Sequence, residues 1–228
     1  MPEAWPRRPI TQDRDQTETL PPTTPRTDML TLSATDSQTF ELPPAGAVAA
    51  RCSRILDLGS QESTFEGERR EQRKVLLSWE LAELRTEGTP HHISRRFGLS
   101  LHEKAALRQF LVAWRGRQFT DDELKAFDLR KLAGAPCMLN VVHVDRAGKQ
   151  YANIASISPL PRGMVAPELT SKPLVLDLDA EDAPAIIEQL SDSLQETITG
   201  SPEWRARISD MRTPAPTALD AMDDDIPF

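Results

Sequence analysis

The sequence predicts a mainly β protein with a helical extension behind the strands and tails at both ends. Three observations predict it. Val75, Leu77, Trp79 and Leu81 alternate on one face, the period of a half-buried strand. The apolar runs of residues 46–160 are short and are parted by turn signals such as Glu87-Gly88-Thr89-Pro90. A helical stripe, Leu107, Phe110, Leu111 and Trp114, falls between the third and fourth of these runs.

Each element follows in order. Residues 1–28, rich in Pro, Thr, Asp and Arg, have no periodicity and are expected to be disordered. Met29 begins a different texture and is an alternative start. Ala47 to Leu58 reads as a first strand, with Val48, Cys52, Ile55 and Leu58 apolar. Gly59 to Gln72 is polar, contains Gly67 and reads as a loop or hairpin turn. Arg73 to Leu84 and His91 to Leu99 give the second and third strands. Ser100 to Glu103 has the spacing of a capping box, opening a helix that runs to about Trp114. Thr120 to Glu123 has the same spacing and opens a short helix to about Phe127.

Pro136 to Val144 and Gln150 to Ser158 are strands four and five, joined by a hairpin at residues 145–149. Strand, strand, strand, helix, strand, strand is the order of the five-stranded OB-like Greek-key barrel. Pro159-Leu160-Pro161 ends it. Leu174 to Leu178 reads as one more short strand. Asp182 to Thr199 reads as one amphipathic helix with Ala183, Ile186, Ile187, Leu190, Leu194 and Ile198 inward. Ser201 caps a last helix with Pro202 in its first turn. The expected organisation is a tail at 1–28, a barrel domain at 29–165, a helical extension at 166–211 and a tail at 212–228.

Composition fits a modest core with loose ends: of 228 residues, 27% are charged, 39% hydrophobic and 19 are Pro. No apolar run approaches the roughly 20 residues of a membrane span, and no apolar stretch follows Arg7 and Arg8 to make a secretory signal. Cys52 and Cys137 have neither metal nor redox spacing and read as small core residues. A cytoplasmic protein is expected. The net charge of −8 hides an asymmetry: residues 51–163 hold 19 basic against 14 acidic residues, while 164–228 hold 4 against 14. A basic middle with an acidic tail suits a nucleic-acid binder that carries a partner-binding arm.

Single-strand binding needs cations along the phosphates and aromatic faces for the bases. The candidate cations are Arg69, Arg70, Arg73 and Lys74 before the second strand, Arg95 and Arg96 in the third, Arg115 and Arg117 after the helix, and Arg146 and Lys149 at the hairpin. Arg130 and Lys131 stand before the fourth strand. Candidate stacking rings are Phe65, Phe97 and Tyr151; Trp79 and Trp114 read as core because each lies on an apolar stripe. No catalytic or metal constellation is expected. His91 and His92 point to opposite faces of a strand. Cys137 and His143 share a face but lie about 20 Å apart at the strand rise. No Gly-rich phosphate cradle is present. No cofactor is expected.

The chain ends on Asp223-Asp224-Asp225-Ile226-Pro227-Phe228: three carboxylates, then an aromatic residue carrying the terminal carboxylate. A basic-rimmed apolar pocket on a partner would capture such an end. The segment is similar to the acidic C-terminal tip of bacterial single-stranded DNA-binding proteins. Residues 55–59, 75–81, 94–97, 99–104, 114–117 and 151–154 resemble phage and prophage OB-fold single-stranded DNA-binding proteins, over roughly residues 29–165. The first 28 residues depart from that pattern. The resemblance implies a role in viral replication, recombination or repair in a bacterial cell. It also implies that the tip recruits host or phage enzymes. Strand annealing, or an adaptor that mimics the host tip without binding DNA, are the alternatives. A homo-oligomer is left open, and no membrane partner is expected.

Overall fold

The computed structural model describes residues 41–65 and 68–212, without the side chains of 63–65, 211 and 212. The chain is mainly β, with a six-stranded, mainly antiparallel sheet and a few short helices. β1 (Gly46–Phe65), β2 (Glu68–Leu84), β3 (Pro90–Gly98), β4 (Pro136–Arg146) and β5 (Lys149–Ser158) lie in the order β3-β2-β1-β4-β5. Among the described residues no backbone ladder joins β3 to β5, so the sheet is open there. The two edges still meet through a side chain, because Arg95 Nη1 donates to the Ile154 carbonyl at 3.3 Å.

β1 is long because it serves two neighbours in turn. Residues Gly46–Arg51 pair with β4, and Arg54–Leu56 pair in parallel with β6 (Leu174–Leu176). The switch falls at a register shift between Cys52 and Arg54, where the Cys52 amide and carbonyl bond to Ala135 and Gly134. Such a bulge turns the side-chain alternation over. Cys52 is therefore buried in the core while Arg54 stands out from the opposite face.

The loop or hairpin turn expected at Gly59–Gln72 is a long hairpin with a strand on each limb. β1 and β2 stay in register from Ser60↔Arg73 to Phe65↔Glu68, forming a hairpin arm. Its described side chains beyond Gln61 on β1 and before Arg73 on β2 are exposed. An arm wet on both faces carries no alternating apolar pattern, so the backbone ladder left no trace in the sequence.

The main core lies between the inner face of the sheet and α1 (Ala106–Arg115), with Val75, Leu77, Trp79 and Leu81 meeting Leu107, Phe110, Leu111 and Trp114. The Trp79 ring lies 5.6 Å from Phe110 and 5.7 Å from Trp114, inside the range of favourable tilted pairs. Ser100 does not cap α1. Its hydroxyl accepts from the His102 amide and closes a turn, and the helix begins only after Ala105. Thr120 does cap α2 (Asp121–Lys125) with a full capping box to Glu123. The β4–β5 hairpin turns on Ala147 and Gly148, both at positive φ (49° and 75°), the backbone that matches strand twist.

A second core forms on the outer face of β1 and β2. Leu56, Leu58 and Leu76 are covered by β6, α3 (Ala183–Ile187), α4 (Asp192–Thr199) and Trp204 of α5 (Pro202–Arg212). The single helix expected over 182–199 is broken at residues 188–191. Ser191 adopts an extended backbone, and Gln195 bonds back to the carbonyls of Glu188 and Leu190. The apolar stripe is unchanged by this, since both pieces pack the same face.

Candidate nucleic-acid interface

The outer sheet face carries cations around a buried centre of Leu56, Leu76 and Ser78. Register places Arg54, Ser78 and Ser94 in one row across β1, β2 and β3, and the Ser78 and Ser94 hydroxyls lie 2.8 Å apart. The next row holds Leu56, Leu76 and Arg96. Lys74 lies opposite Gly98 on the same face. Arg54 and Arg96 are exposed and Lys74 is half-buried. None of the three has a carboxylate partner among the described residues. Arg54 was missed by sequence reasoning, because simple alternation does not anticipate the bulge that turns it outward.

Other expected cations are engaged. Arg73 donates from Nε to Asp57 at 3.0 Å and lies 3.8 Å from Asp179. Arg115 and Arg117 both hold Glu123. Their hydrogen bonds, first from Arg117 and then from Arg115, with the Thr120 amide, keep the Glu123 carboxyl far below the usual carboxylate range. The Arg115 guanidinium also lies over Phe119 at 4.5 Å. Arg70 pairs with Glu68, and Arg130 with Asp128. Lys131 is exposed. Arg95 points to the core side, over Phe97 at 5.0 Å and Phe110 at 5.4 Å. These guanidiniums already have partners.

The expected stacking rings divide. Phe97 is 3% exposed and packs 4.8 Å from Phe110, so it is a core ring and cannot meet a base. Its place on the strand puts it with Ile93 on the inner face. Tyr151 is 45% exposed beside the hairpin that carries exposed Arg146 and Lys149. Arg69 is exposed on the arm. The side chain of Phe65 and the tip Asp223, Asp224, Asp225, Ile226, Pro227 and Phe228 lie outside the described residues.

The chain after β5 limits this interface. It straps the outer face where Arg51 and Glu80 are opposite: Arg51 Nε donates to the Pro167 carbonyl at 2.8 Å, and Glu80 accepts from the Thr170 amide at 2.9 Å. Farther along, Glu203 of α5 grips the base of the arm, taking the Ser60 amide at 2.8 Å and its hydroxyl at 2.6 Å. Gly59, at φ +66°, lets them approach; a Cβ there would lie 2.5 Å from Ser201.

His91 is buried and His92 exposed, on opposite sides of β3 as expected. Partial burial, reinforced by Arg54 and Arg85 against the pull of Glu80, holds the His92 imidazole below its ordinary range, so it is neutral at pH 7. Burial pushes the Cys52 thiol up to about 12 and that of Cys137 higher still. Neither is a nucleophile. Among the described residues, no helix is long and apolar enough to cross a membrane. No protein-family model matches this chain, and no curated protein matches it.

Proposed function

We propose that this protein binds single-stranded DNA along the outer face of β1, β2 and β3, acting by coating rather than by chemistry. The observation that carries the reading is the set of cations without carboxylate partners, Arg54, Lys74 and Arg96, gathered on one face. Arg69 on the arm and Arg146, Lys149 and Tyr151 at the hairpin are further exposed candidates, apart from that set. The strand order β3-β2-β1-β4-β5, with Arg95 bridging the open edge, supports an OB-like barrel beneath it. Of the expected stacking rings with described side chains, Tyr151 alone is exposed, so charge dominates affinity and sequence preference is weak. The tip, residues 223–228, recruits replication and repair proteins by capture of its terminal carboxylate and ring.

Titration of labelled oligo-dT and of matched duplex, at low and moderate salt, tests this. Preferential single-strand binding is expected, with affinity falling by roughly 0.7 log units per neutralised phosphate for each tenfold rise in salt. Removing residues 223–228 leaves that binding intact and abolishes partner capture. The small number of open aromatic rings favours one rival, the adaptor that mimics a host tip. No strand binding by the full chain or the shortened one would leave the adaptor standing.

A further inference from the structure

A cavity of about 570 Å³ opens beside the base of the arm. Its floor is apolar, with Ile55, Val75, Leu107 and Phe127 among the lining side chains. Its rim carries Asp57, Asp128, Asp177 and Asp179 against Arg73 and Arg130, and both guanidiniums are already held by rim carboxylates. Asp179 lies 3.8 Å from Arg73, a long pairing, and its 82% exposed side chain leaves room for a second cation. Such a site fits an apolar side chain with a cation beside it.

The chain displays that combination elsewhere. Between β5 and the strap, Arg162, Gly163, Met164 and Val165 form an exposed loop, closed by a bond from the Met164 amide to the Pro161 carbonyl at 3.1 Å. Val165 is 88% and Met164 46% exposed, and Arg162 has no partner among the described residues. The loop cannot reach its own cavity. Two residues beyond Val165 the chain is fixed at Pro167 to Arg51, while the cavity begins at Ile55 and Asp57. Ile55, the lining residue of β1 nearest to Arg51, is four residues of strand away, about 13 Å, and two residues of chain reach about 7 Å.

We propose that Met164 and Val165 of one copy insert into this cavity on a second copy, with Arg162 meeting Asp179. The contact joins two different surfaces, so it leaves a free loop at one end and a free cavity at the other and can propagate along a row. It is small, and therefore weak in free solution. Copies held side by side on one strand would raise its effective concentration; that consequence rests on the proposed DNA binding, but the contact does not.

Sedimentation equilibrium of the full chain at low salt, without DNA, tests it between about 10 μM and about 1 mM, the range of a weak contact. The mass of the wild type should climb with concentration beyond that of a dimer. A loop variant (Met164→Ser with Val165→Ser) and a rim variant (Asp179→Lys) should each associate at least about fivefold more weakly. Both substitutions lie on exposed side chains, so the fold is kept. Mixed one to one, the two variants should regain a dimer and stop there, because the rim variant still donates its loop to the intact cavity of the other. A wild type that stays monomeric to about 1 mM would overturn the proposal. So would a loop variant that associates like the wild type, or a mixture that regains nothing. DNA is absent throughout, so failure here leaves the strand-binding reading untouched, and failure of that reading leaves this one.

Discussion

The arginines at the α1–α2 corner and those on the outer sheet face are the same side chain in two conditions. At the corner, Arg115 and Arg117 share Glu123, and Arg115 also covers Phe119. On the outer face, Arg54 and Arg96 stand exposed without a carboxylate partner among the described residues. A count of basic residues treats the two groups alike. The folded chain separates them, because a guanidinium already bonded to carboxylate must lose that bond before it can neutralise a phosphate.

The sharpest way to break this comparison is to reverse the outer charges. Arg54→Glu with Arg96→Glu should weaken oligo-dT binding about 100-fold at low salt and flatten its salt dependence. The melting temperature should barely move. Arg117→Ala at the corner should leave strand affinity within about twofold. Equal losses from both, read by fluorescence anisotropy, would erase the distinction.

A second test asks whether the C-terminal helices set the limit of the open face. Gly59→Ala adds a positive-φ penalty of about 1–2 kcal/mol and drives a Cβ into Ser201. It should destabilise by about 2–3 kcal/mol in urea unfolding and raise hydrogen exchange in α5 first. Gly98→Ala meets the end of the Gln72 side chain, which can swing away, and should cost under about 1 kcal/mol.

The smallest effect concerns acid. The Glu123 carboxyl is held below its ordinary range, so its contribution is complete above the unfolded value of about 4.3. It begins to fall below that value and is fully lost only once pH has passed the lowered folded value. The stability advantage of the wild type over Glu123→Gln should stay level from about pH 7 to 5 and then shrink toward pH 3. Thermal melts of both proteins across that range check it. Strand binding at pH 7 should be unchanged by Glu123→Gln if Arg115 stays packed on Phe119.

What the sequence revealed was mainly the inward side chains. Trp79 and Leu107 were placed in the core by spacing alone, because burial on one face writes a period into the chain. The β4–β5 hairpin was legible from Gly148, and the α2 cap from Thr120 and Glu123. A hairpin was one of two readings for the arm, but its long strand pairing was not legible, because exposed pairing leaves the choice of side chain free. Nor was the break in 182–199, since two helices packing one face keep one stripe. Of the binding candidates, Arg96, Arg146, Lys149 and Tyr151 are exposed. Phe97 was misplaced because a strand offers two faces and the neighbouring arginines did not say which. The partners that occupy Arg73 and Arg115 come from Asp57 and Glu123, residues whose proximity only the fold creates.

Cys52 and Cys137 sit in the core with thiols that hold their protons far above neutral pH. While the sheet is closed over them, a thiol reagent has nothing to react with. Their labelling in solution is therefore a stopwatch for opening of the sheet, needing no engineered cysteine. With reagent in excess, the clock runs at the speed of unfolding itself, and any ligand or neighbour that steadies the sheet should slow it.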